Sequence, residues 1–359
     1  MAVSPEPLSG HDVNESAAGL AGVLHVLREL VHLTGAWLML EPRLEVKYAL
    51  ADHLHDDARA VTDLRRRLED LRRPVDDAGG PADEAAALLD RAIQATSAPG
   101  YIAIAYDELK PALVAGLQAQ LDALDPLVEE PSLRLLTELL HRQERHVIEL
   151  GSGGTPPQPT ADPSLTRAKA GAPRPLEVLP ALADPSRDAY VEIAAAEGGT
   201  PGAADGDPAR RVHDLMDASI CAAELMARTS HEQAGLPWEF HADAARMVWD
   251  HLRHAQVHER LMTTELGCRW GDHPVGFAEF RALSAREPAA RLAGLYGIDD
   301  QLALQRHAHR REALGRHGRE HVDAALDHLL ADDLRHADLA RAWGVFLLAG
   351  DEAAYRRLA

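Results

Sequence analysis

The sequence predicts an all-α protein of two four-helix-bundle halves related by internal duplication, and three observations predict it. Apolar residues make up 46% of the 359 positions but aromatics only 4%, so the core is built from Leu, Ala and Val, which suits helices better than sheets. Two long zones, about 16–150 and 211–359, carry a helical period. The stretch between them, about 151–210, is rich in Pro, Gly, Ala, Thr and Asp and has no sustained period, which marks a linker and a domain boundary.

Residues 1–15 are expected to be disordered. The first helix runs through LAGVLHVLRELVHLTGAWLM. Pro42 breaks the chain where an N1 proline would open the next helix, RLEVKYALADHLHDDARAVTDLRRRLEDLRR, which Pro74 ends. A third helix covers AYDELKPALVAGLQAQLDALDPL, and a fourth follows Pro131 through RLLTELLHRQERHVIEL to the stop at Gly151. Past the linker, VHDLMDASICAAELMARTSHEQ forms a helix closed by a turn at Gly235 and Pro237. WEFHADAARMVWDHLRHAQVHERLMTTEL follows and stops at Gly267. GCRWGDHPVG is a loop, a shorter helix spans about Phe277 to Tyr296, and HVDAALDHLLADDLRHADLARAWGVFLL closes the chain. When HLHDDARAVTDLRRRL is laid over MVWDHLRHAQVHERLM, Asp57 falls on His251 and Ala60 on His254. That overlay is the basis for reading a duplication.

The formal charge of −20 repels phosphate backbones, which makes nucleic acid an unexpected partner. Lysine occurs only at Lys47, Lys110 and Lys169, and the Arg, Ala, Gly and Pro usage reads as coding bias. Cys221 and Cys268 form neither a disulfide framework nor a CxxC pair. The opening MAVSPEPLSGHDVNES has no secretory pattern. The apolar run from Leu20 to Leu40 is interrupted by Arg28, Glu29 and His32, so a buried helix is expected there and no membrane partner. The expected location is the cytoplasm. Phosphate-cradling glycine loops and serine elbows are absent from the sequence.

Two pairs at i, i+3 spacing stand out, because that spacing puts both members on one helical face. They are Asp333 with His336 in the last helix, and His251 with His254, continued by His258, in the second helix of the second half. Glu224 sits in CAAELMA, where an acid on an apolar stretch needs a partner. Glu224, His251, His254, Asp333 and His336 are therefore the candidate metal ligands. Imidazole and carboxylate donors suit iron, manganese, zinc or copper. A metal-free cluster with His and Asp in acid–base roles is the alternative. In the first half Glu29, His32, Glu45, Asp52, His55 and the pair Glu138 with His141 are read as a solvated face with salt bridges, with a second polar cluster as the alternative.

The run from Glu224 to Phe277, ELMARTSHEQAGLPWEFHADAARMVWDHLRHAQVHERLMTTELGCRWGDHPVGF, resembles ferritin-like proteins related to the tRNA-hydroxylating di-iron enzyme. ALDHLLADDLRHADLARAW resembles that family's closing Asp-Glu-x-x-His helix, and the first half resembles the amino-terminal part of its longer members. The resemblance implies two ferritin-like halves and a di-iron site in which Glu224, His254 and His336 are ligands and Asp333 replaces a glutamate. His251 stands where a bridging glutamate is expected, and the third-helix glutamate falls near Gly294. In the first half the matching pairs read Asp57-x-x-Ala60 and Gln143-x-x-His146. Losing a bridging carboxylate makes two ions about 4 Å apart harder to hold, so one or two metal ions, or none, are compatible with the pattern. The function expected on this resemblance is a metal-dependent oxidase or oxygenase that uses O₂ on a small organic substrate. The alternative is a non-redox descendant of the fold that binds a ligand, scaffolds a partner or performs acid–base catalysis. A tRNA substrate conflicts with the charge. The sequence leaves the substrate, the metal and the oligomeric state open.

Overall fold

The computed structural model describes residues 10–73, 80–153, 166–169, 175–177, 184–194, 207–314 and 320–358. The chain is all-α: among these residues the only extended pairings are two isolated bridges, Gly80 with Lys169 and Ile193 with Val275. It divides into two compact units. The first comprises Met1–Trp37 and Asp52–Ala181, and the second comprises Leu38–Ala51 and Leu182–Ala359. The division falls inside the expected linker, and Leu38–Ala51, expected in the first half, belongs to the second unit.

The long helices of the first unit are α1 (Val13–Leu40), as far as Trp37, and α2 (Leu44–Asp70), from Asp52 on. α1 begins inside the stretch expected to be disordered, with Asp12 accepting from Asn14 and Glu15 backbone N–H groups. It is long and apolar enough to cross a membrane, but 89% of its most apolar window is buried in the protein. α3 (Asp83–Ile93) was not anticipated from the sequence. α4 (Ala98–Ile104), capped by Ser97, runs through a π-helical turn at Ala105–Leu109 into α5 (Lys110–Ala123). Pro111 cannot donate a backbone N–H and its ring crowds the preceding turn; the wider turn before it opens the ladder there. α6 (Glu130–Leu150) packs on α5.

Part of the expected linker is built into the first unit. Ala168 N–H donates to the Ala18 carbonyl at 2.9 Å, and Gln120 Nε2 donates to the carbonyls of Gly19 and Thr166. Gly22 and Gly116 make room for this segment, since a Cβ on Gly22 would lie 2.1 Å from the Thr166 oxygen and one on Gly116 would lie 2.4 Å from its methyl. Gly22→Ala should therefore expel residues 166–169. The expected cost is about 1–3 kcal/mol, together with faster tryptic cleavage after Arg167 and Lys169. Unchanged stability and cleavage would show that the segment is not held by this contact.

In the second unit, α7 (Pro208–Glu232) is N-capped by Asp207, with Pro208 at the first position, and packs against α8 (Trp238–Leu266). α8 ends at Gly267 in the left-handed conformation, φ +65°. The single helix expected over Phe277–Tyr296 is two, α9 (Ala278–Ser284) and α10 (Pro288–Tyr296), because Pro288 forces a restart. α11 (Gln301–Leu314) was not anticipated. α12 (Glu320–Leu347) packs against α8, α10 and α11, and α13 (Glu352–Arg356) closes the chain. Arg187 and Asp188, from the other end of the expected linker, are buried in this unit.

Candidate metal centre

The i, i+3 faces of α8 and α12 meet in the core of the second unit. One donor atom from each of His251, Asp333 and His336 lies within 4.8 Å of the others, and all three side chains are buried. The fully buried His254 joins them through Nδ1, 3.7 Å from Asp333 Oδ1. Four of the five expected ligands are thus brought together.

Each of the four also meets a neighbouring polar side chain. His254 Nε2 is 3.2 Å from Asp332 Oδ2, and His336 Nε2 is 3.2 Å from Asp250 Oδ2. His251 Nε2 is 3.0 Å from the Tyr296 hydroxyl. Asp333 Oδ2 accepts from Arg310 Nη1 at 2.5 Å. The two carboxylates are themselves anchored, since Arg253 donates to Asp250 at 2.9 Å and also to Asp332, while Arg246 donates to Asp250 at 2.8 Å. A carboxylate on Nε2 fixes the proton there and leaves Nδ1 a bare lone pair. His254 Nδ1 and His336 Nδ1 are both buried with no hydrogen-bond partner among the described residues. Buried polar atoms are rarely left so, and a carboxylate behind each imidazole is the arrangement that orients and strengthens a metal-ligating histidine.

Burial also sets the charges. It pushes His251 far below the ordinary imidazole range, and the guanidinium groups of Arg306 and Arg310 add to the effect. It lowers His254 as well, against the opposing pull of Asp332 and Asp333. Burial raises the Asp333 carboxyl, but Arg310, His254 and Arg306 outweigh it and hold the group below its usual value. Near neutral pH His251 and His254 therefore offer imidazole lone pairs and Asp333 an ionised carboxylate, the protonation states that metal binding requires.

Glu224 is elsewhere. Its Oε1 pairs with Lys47 Nζ and with Arg187 Nη1 at 2.7 Å, and Arg187 also reaches Asp217 at 3.1 Å. The partner that its apolar surroundings demand is this pair of buried cations, so Glu224 is a structural anion and not a fifth donor. Gly294, the position matched to the third-helix glutamate, supplies no donor. A Cβ on Gly294 would meet Leu283 at 2.6 Å and Arg286 at 2.8 Å, so that face packs on α9, and Tyr296 is the α10 residue that reaches the histidines. Asp250 and Asp332 were signalled by the Asp that precedes each expected ligand pair. Arg310 had no sequence signal, because α11 has weak amphipathic patterning and a basic residue on it reads as solvated.

The first unit repeats part of the scheme. His146 Nε2 is 3.4 Å from Asp56 Oδ2, where His336 Nε2 is 3.2 Å from Asp250 Oδ2. His146 Nδ1, however, faces Lys110 Nζ at 3.2 Å, and the ammonium also donates to Asp57 at 2.7 Å and Gln143 at 2.8 Å. His53 stacks on His146 with ring centroids 3.8 Å apart and bonds Tyr106 and Glu149. A second trio, Asp52, His53 and Glu149, lies within donor distance there, but Arg145 already pairs with Asp52 at 2.7 Å. Compared with known proteins, the chain matches no protein-family model, no curated protein and no solved structure.

Proposed function

We propose that the second unit binds one transition-metal ion through His251, His254, Asp333 and His336, and that the protein is a ferritin-like metal-dependent oxidase or oxygenase acting on a small organic substrate. The observation that carries this reading is the pair of buried Nδ1 atoms of His254 and His336, neither hydrogen-bonded among the described residues and each backed by a carboxylate on Nε2. Three imidazoles and a carboxylate suit iron, manganese, zinc or copper. One ion fits better than two, because Asp333 is the only carboxylate in the donor group and its second oxygen is held by Arg310. Iron bound there would supply electrons for the reduction of O₂.

The chain's own residues do the rest. Asp250, Asp332, Arg310 and Tyr296 hold the donors in orientation. Burial of all four donor side chains excludes bulk water. The likeness between the Asp56–His146 and Asp250–His336 pairs supports descent of the two halves from one bundle by duplication. A metal-free descendant is the second reading, favoured by the Arg310–Asp333 ion pair, in which a cation already neutralises the only carboxylate of the group.

The test is the metal content of the purified protein by plasma mass spectrometry, before and after anaerobic Fe²⁺ loading, beside His336→Ala. One ion per chain in the wild type and none in the variant is the expected result. Only traces of metal in the loaded wild type would defeat the oxidase reading and leave the metal-free one.

A further inference from the structure

We infer that the first unit contains a cation site of the same design whose cation is the chain's own Lys110 ammonium. Three donors on two helices converge on one point: Asp57 Oδ2 from α2, with Gln143 Oε1 and His146 Nδ1 from α6, at 2.7, 2.8 and 3.2 Å from Lys110 Nζ. These are the residues that the sequence places opposite the metal-ligand pairs of the second half. The ammonium has three N–H groups and the point offers three acceptors, so both sides are satisfied. Gln143 Nε2 donates to the other Asp57 oxygen at 2.6 Å, and Asp56 holds His146 from behind. Asp57, Lys110, Gln143 and His146 are all buried, and Tyr106 lies under the ammonium with its ring centroid 5.5 Å from Nζ.

An ordinary buried lysine salt bridge needs one carboxylate. Here a neutral imidazole lone pair is also aimed at the cation and is fixed in that tautomer by a carboxylate on its far side. That arrangement resembles a ligand shell more than an ion pair. Lys110 enters from the end of the π-helical turn, so the wide turn at Ala105–Leu109 is what brings its Nζ to the point. The consequence is a division of labour. The first unit carries its positive charge covalently and needs no metal, while its donor shell of carboxylate, amide oxygen and imidazole nitrogen remains able to hold a free cation.

Removing the tether tests this. Lys110→Ala deletes a propylammonium-sized fragment and leaves Asp57 buried beside an empty space. The thermal midpoint should fall by about 10 °C. Millimolar Zn²⁺ or Mn²⁺, or n-propylammonium at tens of millimolar, should restore most of the loss, because binding to the folded state alone stabilises it. n-Propanol, which fills the space without charge, should not. Lys110→Met, which fills the space with an apolar chain, should fall similarly and respond to neither cation.

The same comparison in a His336→Ala background removes a donor of the second unit, so the outcome is independent of whether that unit binds metal. Cation rescue of Lys110→Ala no greater than that of Lys110→Met or the wild type would overturn the inference. If Lys110→Ala does not fold unaided, refolding from denaturant reads the same property. Recovery only with a cation supports the inference, and recovery with none, or equally with propanol, overturns it.

Discussion

Glu224→Ala should destabilise the protein by about 3–5 kcal/mol and leave its metal content unchanged. The side chains of Glu224, Lys47 and Arg187 are almost completely buried, and one carboxylate oxygen serves both cations. Lys47 Nζ also donates to the carbonyls of Met39 and Ser186 at 3.3 and 3.0 Å, and Arg187 Nη1 donates to that of Ser186 at 3.0 Å. Removing the anion leaves two cations in a low-dielectric interior, and Asp217 can compensate only Arg187. Burial already lowers the Lys47 pKa, with Glu224 the main opposing influence, so the variant should release the Lys47 proton on folding. Its stability should consequently rise with pH across the alkaline range more steeply than that of the wild type. Chemical denaturation of Glu224→Ala and of Lys47→Met/Glu224→Met checks the argument, since removing one cation together with the anion leaves Arg187 its Asp217 partner. The double variant should recover a large part of the loss. A Glu224→Ala protein that is folded and near wild-type stability but depleted of metal would return Glu224 to the metal centre.

The misplacement of Glu224 shows where the sequence ran out. An acid on the apolar face CAAELMA had to find a partner, and that much was legible. Which partner was not, because Lys47 lies 177 positions away and Arg187 sits in a stretch whose composition reads as linker. Local chemistry was legible wherever it was punctuated. α8 runs over Trp238–Leu266 as expected because Pro237 opens it and Gly267, at φ +65°, closes it. α11 was hidden because its apolar positions are sparse, and Pro288 was passed over as a restart within one longer helix. That His251 and His254 share one face of α8, and Asp333 and His336 one face of α12, followed from i, i+3 spacing alone; that the two faces meet did not. The cations that complete the two sites, Lys110 and Arg310, did not, because a basic residue on a helix is read as solvated unless its distant acceptors are known.

Acid should destabilise the protein well above the pH at which its carboxylates titrate. Burial lowers His53, against the pull of Glu149 and Asp57. It holds His146 far below the ordinary value, with Lys110 adding to the effect, and it brings His213 down from 6.5 to about 4. The geometry agrees. His146 Nδ1 faces an ammonium, and His213 Nε2 accepts from the Gly271 N–H at 3.2 Å while its ring stacks on Trp270. A proton on either acceptor breaks a bond and places charge in a dry site. The folded state refuses these protons while the unfolded chain takes them up near pH 6.5, so the unfolded state binds more protons and stability falls as pH drops through that value. For His213 the loss ends near pH 4, where the folded state protonates too. Each depressed histidine contributes at most about 1.4 kcal/mol per pH unit in this window, and three give roughly 2–4 kcal/mol between pH 6.5 and 5.5. Asp56, Asp214 and Asp217, which burial raises from 3.8, act in the opposite sense but start from a lower value. Urea unfolding at pH 7.5, 6.5 and 5.5 measures the slope. Stability that is flat to pH 5.5 would mean that these imidazoles are reached by water and protonate in the folded chain, and would remove the dry core on which the donor geometry of both units depends.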